Sequence, residues 1–242
     1  WPVQLYDPPR VSVIIPVGPG HEGHLRTALD SVQAQTEPGW ECIVVNDTGG
    51  PLDLEGWPWA RVIDTPHGGA GPATARNLGV TQARAPLCAF LDADDYYLPT
   101  YLERTMAVQA ETGGYVYTDW FQIERDGTFV HKEAGEYEPE HLLEKGLTFT
   151  ITALLPTKIC RETPFDQDAG GWEDWDFFFH LATKGICGVR VPEALFAYRY
   201  WSGQRREDGY AQAEVNAKAL RRKWHEYVTG GKRLMGCTGC GS

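Results

Sequence analysis

Val11 to Val17 reads VSVIIPV, a β-branched and nearly unbroken apolar run. A segment with no polar side to show to water forms a strand covered on both faces, the habit of parallel sheets rather than of surface hairpins. His24 to Gln35 follows with Leu25, Ala28, Leu29 and Val32 at helical spacing, and Glu41 to Asn46 (ECIVVN) is a second buried-strand run. The three make a βαβ unit. Arg61 to Asp64 predicts a third strand, Ala73 to Ala83 a helix after the Gly-Pro loop at 68–72, and Pro86 to Leu91 (PLCAFL) a fourth strand. The alternation predicts an α/β fold with a doubly wound, Rossmann-like, mainly parallel sheet, whose ligands lie beyond the carboxyl ends of its strands.

Past Tyr97 the pattern becomes mixed. A helix is expected near Pro99 to Glu111, strands at Tyr115 to Glu124 and Thr128 to His131, and helices at 173–184 and 211–228, with an apolar run from Gly188 to Tyr200 between the last two. Residues 49–59 read as an irregular loop. With 242 residues and 27.0 kDa the chain suits one large domain. Its 42% hydrophobic and 12% aromatic content excludes intrinsic disorder. Nearly uncharged stretches such as Gly146 to Pro156 fall short of the roughly 20 residues of a membrane-spanning helix, so no transmembrane segment is expected. An opening Trp1, with no basic-then-apolar leader behind it, is consistent with a trimmed or processed product.

The net charge of −11 disfavours duplex nucleic acid or an anionic membrane as the main partner. From Arg199 to Ser242, however, nine basic residues face four acidic ones, a local +5 against −16 elsewhere. That tail reads first as a solvated helix face, and alternatively as a contact for phosphate or another anion. Of the six cysteines, Cys42 and Cys88 sit in apolar strand-like runs, and the spacing suggests no small disulfide framework. A reducing, cytoplasmic setting is therefore expected. Cys237 and Cys240 form a CxxC, but no second ligand pair completes a zinc ribbon.

Three acidic groups could carry chemistry. Strand four runs into Asp92-Ala93-Asp94-Asp95, where carboxylates beyond a buried strand suit a hard divalent cation shared with phosphates, or else an acidic turn capping a helix. Strand two ends at Asp47, placed either to accept hydrogen bonds from a nucleobase or ribose or to form an Asx-turn before Gly49. Gly171-Trp172-Glu173-Asp174-Trp175-Asp176 opens an aromatic helix. Acids there complement the helix dipole, and apolar surroundings could lift one of them toward the pKa of a general base, with the Trp residues as a platform for a sugar ring. Arg76 in ARNLG could pair with a diphosphate or a carboxylate. The loop GGAGPA matches neither the P-loop nor the dinucleotide fingerprint.

Together, VSVIIPV, Asp47, ARNLG, FLDADD and GGWEDWD, in that order across about Val11 to Tyr200, resemble the family-2 inverting nucleotide-sugar glycosyltransferases of the GT-A fold. The resemblance implies that the end of strand one (Pro16, Val17) and Asp47 hold the nucleobase and that Arg76 supports the nucleotide site. It makes Asp92-Ala93-Asp94 the DxD, with Asp94 as main ligand of Mn²⁺ or Mg²⁺ and Asp92 beside it. It makes Asp174 of the ED pair, next to Glu173, the base. The implied organisation is an N-terminal extension at 1–10, a nucleotide-sugar-binding half at 11–97, an acceptor-binding half of the same domain at 98–203, and a basic helix with a Gly/Cys tail at 204–242.

Two departures stand out. Where the family often carries a base-stacking aromatic after strand one, this chain has Gly18-Pro19-Gly20, and where the family commonly reads YR, any residue, His, this chain has Tyr198-Arg199-Tyr200-Trp201. Arg199, Arg205 and Arg206 could compensate at the diphosphate. The implied reaction is a single displacement with inversion from a nucleoside-diphosphate sugar, a UDP-sugar favoured, to a hydroxyl on a glycan, protein, lipid or modified nucleic acid. The alternatives are a non-catalytic nucleotide-sugar or glycan-binding module on the same fold and, less well supported, a nucleotidyltransferase.

Overall fold

The computed structural model describes residues 8–144, 146–200 and 210–229. Expectations for Trp201, Arg205, Arg206 and the Cys237/Cys240 pair lie outside them. Among the described residues nine strands join one sheet: β1 (Val11–Val17), β2 (Trp40–Asn46), β3 (Ala60–Asp64), β4 (Leu87–Phe90), β5 (Tyr96–Tyr97), β6 (Tyr115–Ile123), β7 (Phe129–Lys132), β8 (Ala153–Pro156) and β9 (Gly188–Arg199). Their order is β3-β2-β1-β4-β8-β6-β9-β5, with β7 beside β6. β1 pairs in parallel with both β2 and β4, so the chain reverses its direction of travel across the sheet there. Such a switch opens a crevice at the carboxyl ends of the strands. β8 then runs antiparallel between β4 and β6, tying the second half of the chain onto the first.

Helices cover both faces. α1 (Leu25–Gln33) and α3 (Tyr101–Thr112) lie on one, where Leu25, Leu29, Val32, Tyr101 and Leu102 pack with Val11, Val13, Ile15 and Val17 of β1. α2 (Pro72–Gln82) and α6 (Glu173–Thr183) lie on the other, where Ala75, Val80, Phe177, Phe178 and Phe179 pack with Ile14, Ile43 and Val45. Alternate residues of β1 thus point into opposite layers, and both layers are apolar, which is why the run shows no polar face. Each such aliphatic side chain contributes about 1.5–3 kcal/mol by leaving water. α2 starts with Pro72 at its first turn, where a missing N–H costs nothing. It approaches β1 so closely that a Cβ on Gly79 would stand 2.4 Å from Ile14 Cγ2.

The elements of the first half match their sequence signals to within a residue or two. In the second half α4 (Pro139–Glu144), β8 and α5 (Thr157–Glu162) carry no separate signal, and the two-residue β5 is too short to leave one. The last helix, α7 (Tyr210–Thr229), packs Ala217, Leu220 and Trp224 into the core, so the basic C-terminal segment is docked and not only solvated. Cys42, Cys88 and Cys160 are free and buried, whereas Cys187 is disulfide-bonded, a departure from the expectation of reduced thiols throughout. Among the described residues no helix is long and apolar enough to cross a membrane.

Candidate active site

The corner between β1 and β2 is built on Asp47. Its backbone N–H donates to the Val17 carbonyl at 2.9 Å. Its side chain, 3% exposed, accepts hydrogen bonds from the Ala70 and Gly71 amides at 2.8 Å each and from the Thr65 hydroxyl at 2.7 Å. Asp47 therefore shapes the glycine loop at 67–71, and a nucleobase would use only its remaining lone pairs. The Asx-turn belongs instead to Asn46, whose Oδ1 accepts the Thr48 N–H at 3.1 Å. Pro16 and Val17 are buried, so they can meet a ligand through their main chain.

Arg76, from the middle of α2, is 4% exposed and reaches two carboxylates. One terminal nitrogen donates to Asp92 at 2.7 Å, past the end of β4, and the other to Glu173 at 3.1 Å, at the start of α6. The guanidinium also lies 5.7 Å from the centre of the Phe165 ring. Its Nε has no protein partner. Fork geometry and permanent charge suit Arg to such a bridge between elements. Arg76 thereby ties the end of β4 to the start of α6 through Asp92 and Glu173.

Beyond β4 the three carboxylates have different lives. Asp95 is 1% exposed and accepts the Arg199 N–H at 2.9 Å; burial first, then the charges of Asp94 and Asp92, hold its pKa well above the ordinary carboxylate range. The Arg199 side chain in turn bonds the Asp94 carbonyl oxygen and lies over the Tyr96 ring. Asp94 Oδ2 lies 3.6 Å from His21 Nδ1, with 15% of the Asp94 side chain exposed. Among the described residues no three His, Cys, Asp or Glu side chains form a ready-made cage. The donor set fits a hard cation that takes its other oxygens from substrate phosphates and water, the usual habit of Mg²⁺.

Asp174 sits in the first turn of α6, where its Oδ1 accepts the Trp175 N–H at 2.7 Å. Burial, then the neighbouring Glu173 charge, push its pKa up to about 6 against the pull of Arg76. A carboxylate near neutrality is what a general base at physiological pH requires. Trp175 is 3% exposed and belongs to the core, so of the two tryptophans only the half-buried Trp172 keeps surface for a sugar ring. Behind this turn Asp176 accepts hydrogen bonds from Lys223 at 2.8 Å and from the Trp224 indole at 2.9 Å, both on α7.

The structure thus ties Asp92 to Glu173 through Arg76, next to Asp174, and ties Arg199 to Asp94 and Asp95, while Asp47, Pro16 and Val17 lie together at the carboxyl ends of β1 and β2. His21, Lys223 and Trp224 were not singled out by the sequence. A lone histidine in a glycine-rich loop has no periodic signal, and the α7 pair was hidden in a segment read as a solvated face.

Residues 12–169 match the family described as Glycosyl transferase family 2. The putative glycosyltransferase EpsH of Bacillus subtilis is 33% identical over 252 residues, covering 90% of this chain and 72% of the relative. The putative teichuronic acid biosynthesis glycosyltransferase TuaG of the same organism is 28% identical over 209 residues, 79% of each. An uncharacterized glycosyltransferase of Rickettsia bellii is 26% identical over 195 residues, 72% of this chain but only 27% of the relative's length. Among solved structures, S. aureus TarS 1-349 in complex with UDP-GlcNAc superposes with a TM-score of 0.66 at 17% identity, over 93% of this chain and 74% of that one.

Proposed function

The chain belongs to glycosyl transferase family 2, and on that premise we propose that it moves a sugar from a nucleoside-diphosphate sugar to an acceptor hydroxyl with inversion, using Asp174 as base. The observation that supports this reading is the Arg76 bridge from Asp92 to Glu173, because the residue next to Glu173 is Asp174, whose pKa is pushed up to about 6. Asp174 takes the proton of the attacking hydroxyl. The proton leaves the acceptor oxygen as its bond to the anomeric carbon forms and the bond to the diphosphate breaks. Arg76 steadies both acidic walls, and Arg199 fixes the main chain that presents Asp94. A divalent cation held at Asp94, with Asp92 beside it, would neutralise the charge that develops on the departing diphosphate. A UDP-sugar is the donor we favour, in keeping with the UDP-GlcNAc bound by TarS.

Titrating the protein with UDP-, GDP- and dTDP-sugars plus Mn²⁺, and following donor hydrolysis and transfer, tests the reading. Asp174→Asn should retain donor binding within about twofold while losing turnover by 10²-fold or more, the scale of a missing general base. Near-normal turnover in that variant would remove Asp174 from the mechanism, and donor binding with no turnover in the parent chain would favour a binding module.

A further inference from the structure

We propose that His21 is a second protein ligand of the cation that Asp94 holds. This inference rests on the donor-transfer reading above. Gly18 to His21 closes a tight turn in which the His21 N–H donates to the Gly18 carbonyl at 3.2 Å. Pro19 and Gly20 occupy its centre, and Gly20 has φ +86°, the combination that a type II turn requires. The turn leaves β1 at the switch point and swings the imidazole back across the crevice, where Nδ1 stands 3.6 Å from Asp94 Oδ2.

That separation is longer than a hydrogen bond and close to the spacing of two ligands on one ion. Donors each about 2.1 Å from an octahedral cation stand about 3 Å apart when adjacent, so a shift of a few tenths of an ångström at each side chain closes the site. The His21 side chain is 25% exposed and that of Asp94 15%. Asp94 is also held in place, since its carbonyl is bonded by Arg199 and the following Asp95 accepts the Arg199 amide. The glycine-proline sequence after β1 therefore has a positive task, delivery of a nitrogen ligand. An imidazole favours Mn²⁺ and later divalent ions over Mg²⁺, which prefers oxygen. The site should discriminate between the two.

The test is Mn²⁺ binding followed by electron paramagnetic resonance, with UDP, GDP or dTDP present, for the parent chain, His21→Ala, His21→Gln and Asp94→Ala, with Mg²⁺ affinity read by competition. Thermal midpoints of the variants report folding. We expect His21→Ala and His21→Gln to melt like the parent and to lose Mn²⁺ affinity about tenfold while Mg²⁺ affinity falls less than threefold. Parent-like Mn²⁺ affinity in both variants, with Asp94→Ala deficient, would overturn the His21 assignment alone. An equal loss for both ions would mean that His21 only poses Asp94, and would overturn direct ligation. A parent chain that takes up no Mn²⁺ with any of the three nucleotides would sink the metal-assisted reading itself.

Discussion

Arg76 Nη1 stands 3.1 Å from Glu173 Oε1, although 97 positions separate the two residues in the chain. The bond crosses the crevice, and the second arm of the same guanidinium holds Asp92. A buried cation with two carboxylates is weak evidence for stability but strong evidence for geometry. Removing one partner strands the others.

Arg76→Ala should therefore destabilise the chain by about 3–5 kcal/mol, because Asp92 and the buried Glu173 both lose the charge of Arg76. Urea unfolding followed by tryptophan fluorescence measures it. A loss below about 1 kcal/mol would show that the bridge is dispensable to the fold.

Asp174 predicts two pH dependences of opposite sign. Transfer should rise with pH through about 6 as the carboxyl ionises, seen in kcat/KM between pH 5 and 8. Stability goes the other way. The folded-state pKa lies above that of an ordinary aspartate, so the folded chain holds the proton longer, and the stability present below about pH 4 is lost as pH rises through about 6. Asp174→Asn should then be more stable than the parent at pH 7.5 by about 1–2 kcal/mol, allowing for the carboxyl's partial exposure, with the gap closing near pH 4. A gap that does not narrow on acidification would refute the assignment.

Gly79→Ala should cost about 1–3 kcal/mol, since the new methyl carbon would meet Ile14 Cγ2 at 2.4 Å and α2 must move off the sheet. Arg76 leaves the same helix one turn earlier, so donor affinity should fall as well. Calorimetry on nucleotide binding reads both effects in one preparation.

Trp224→Phe keeps an aromatic side chain but removes the pyrrole ring and the N–H that bonds Asp176, and should lower stability by about 1–3 kcal/mol. Lys223 still pairs with Asp176 in that variant. Hydrogen exchange at the first turn of α6 should speed up while exchange in β1 stays unchanged. Uniform acceleration would mean that α7 supports the whole layer rather than this turn.

How legible the molecule was depended on how far each residue's role extends from its own segment. β1, β2 and β4 announce themselves because both faces of a central parallel strand must be apolar. β8 does not, because its four residues sit inside the longer apolar stretch from Gly146 to Pro156 and only pairing with β4 and β6 picks them out. Asp92, Asp94, Arg76, Glu173 and Asp174 were singled out from sequence motifs, and the structure joins three of them directly, Arg76 to Asp92 and to Glu173. Asp47 was placed at the right sheet edge, but its commitment to the Ala70 and Gly71 amides depends on a loop more than twenty residues away. The tryptophans of WEDWD were read as a platform for a sugar ring, whereas the Trp175 ring is buried in the core.

The two arms of the Arg76 bridge span very different lengths of chain, 16 residues to Asp92 and 97 to Glu173. A ribosome releases the chain from its amino end, and the β1–β4 layer can assemble with Arg76 already resting on Asp92. Glu173 emerges 97 residues after Arg76, so this arm of the bridge closes later than the one to Asp92. A truncated or stalled product would expose a half-built pocket with one arm of the guanidinium unclaimed.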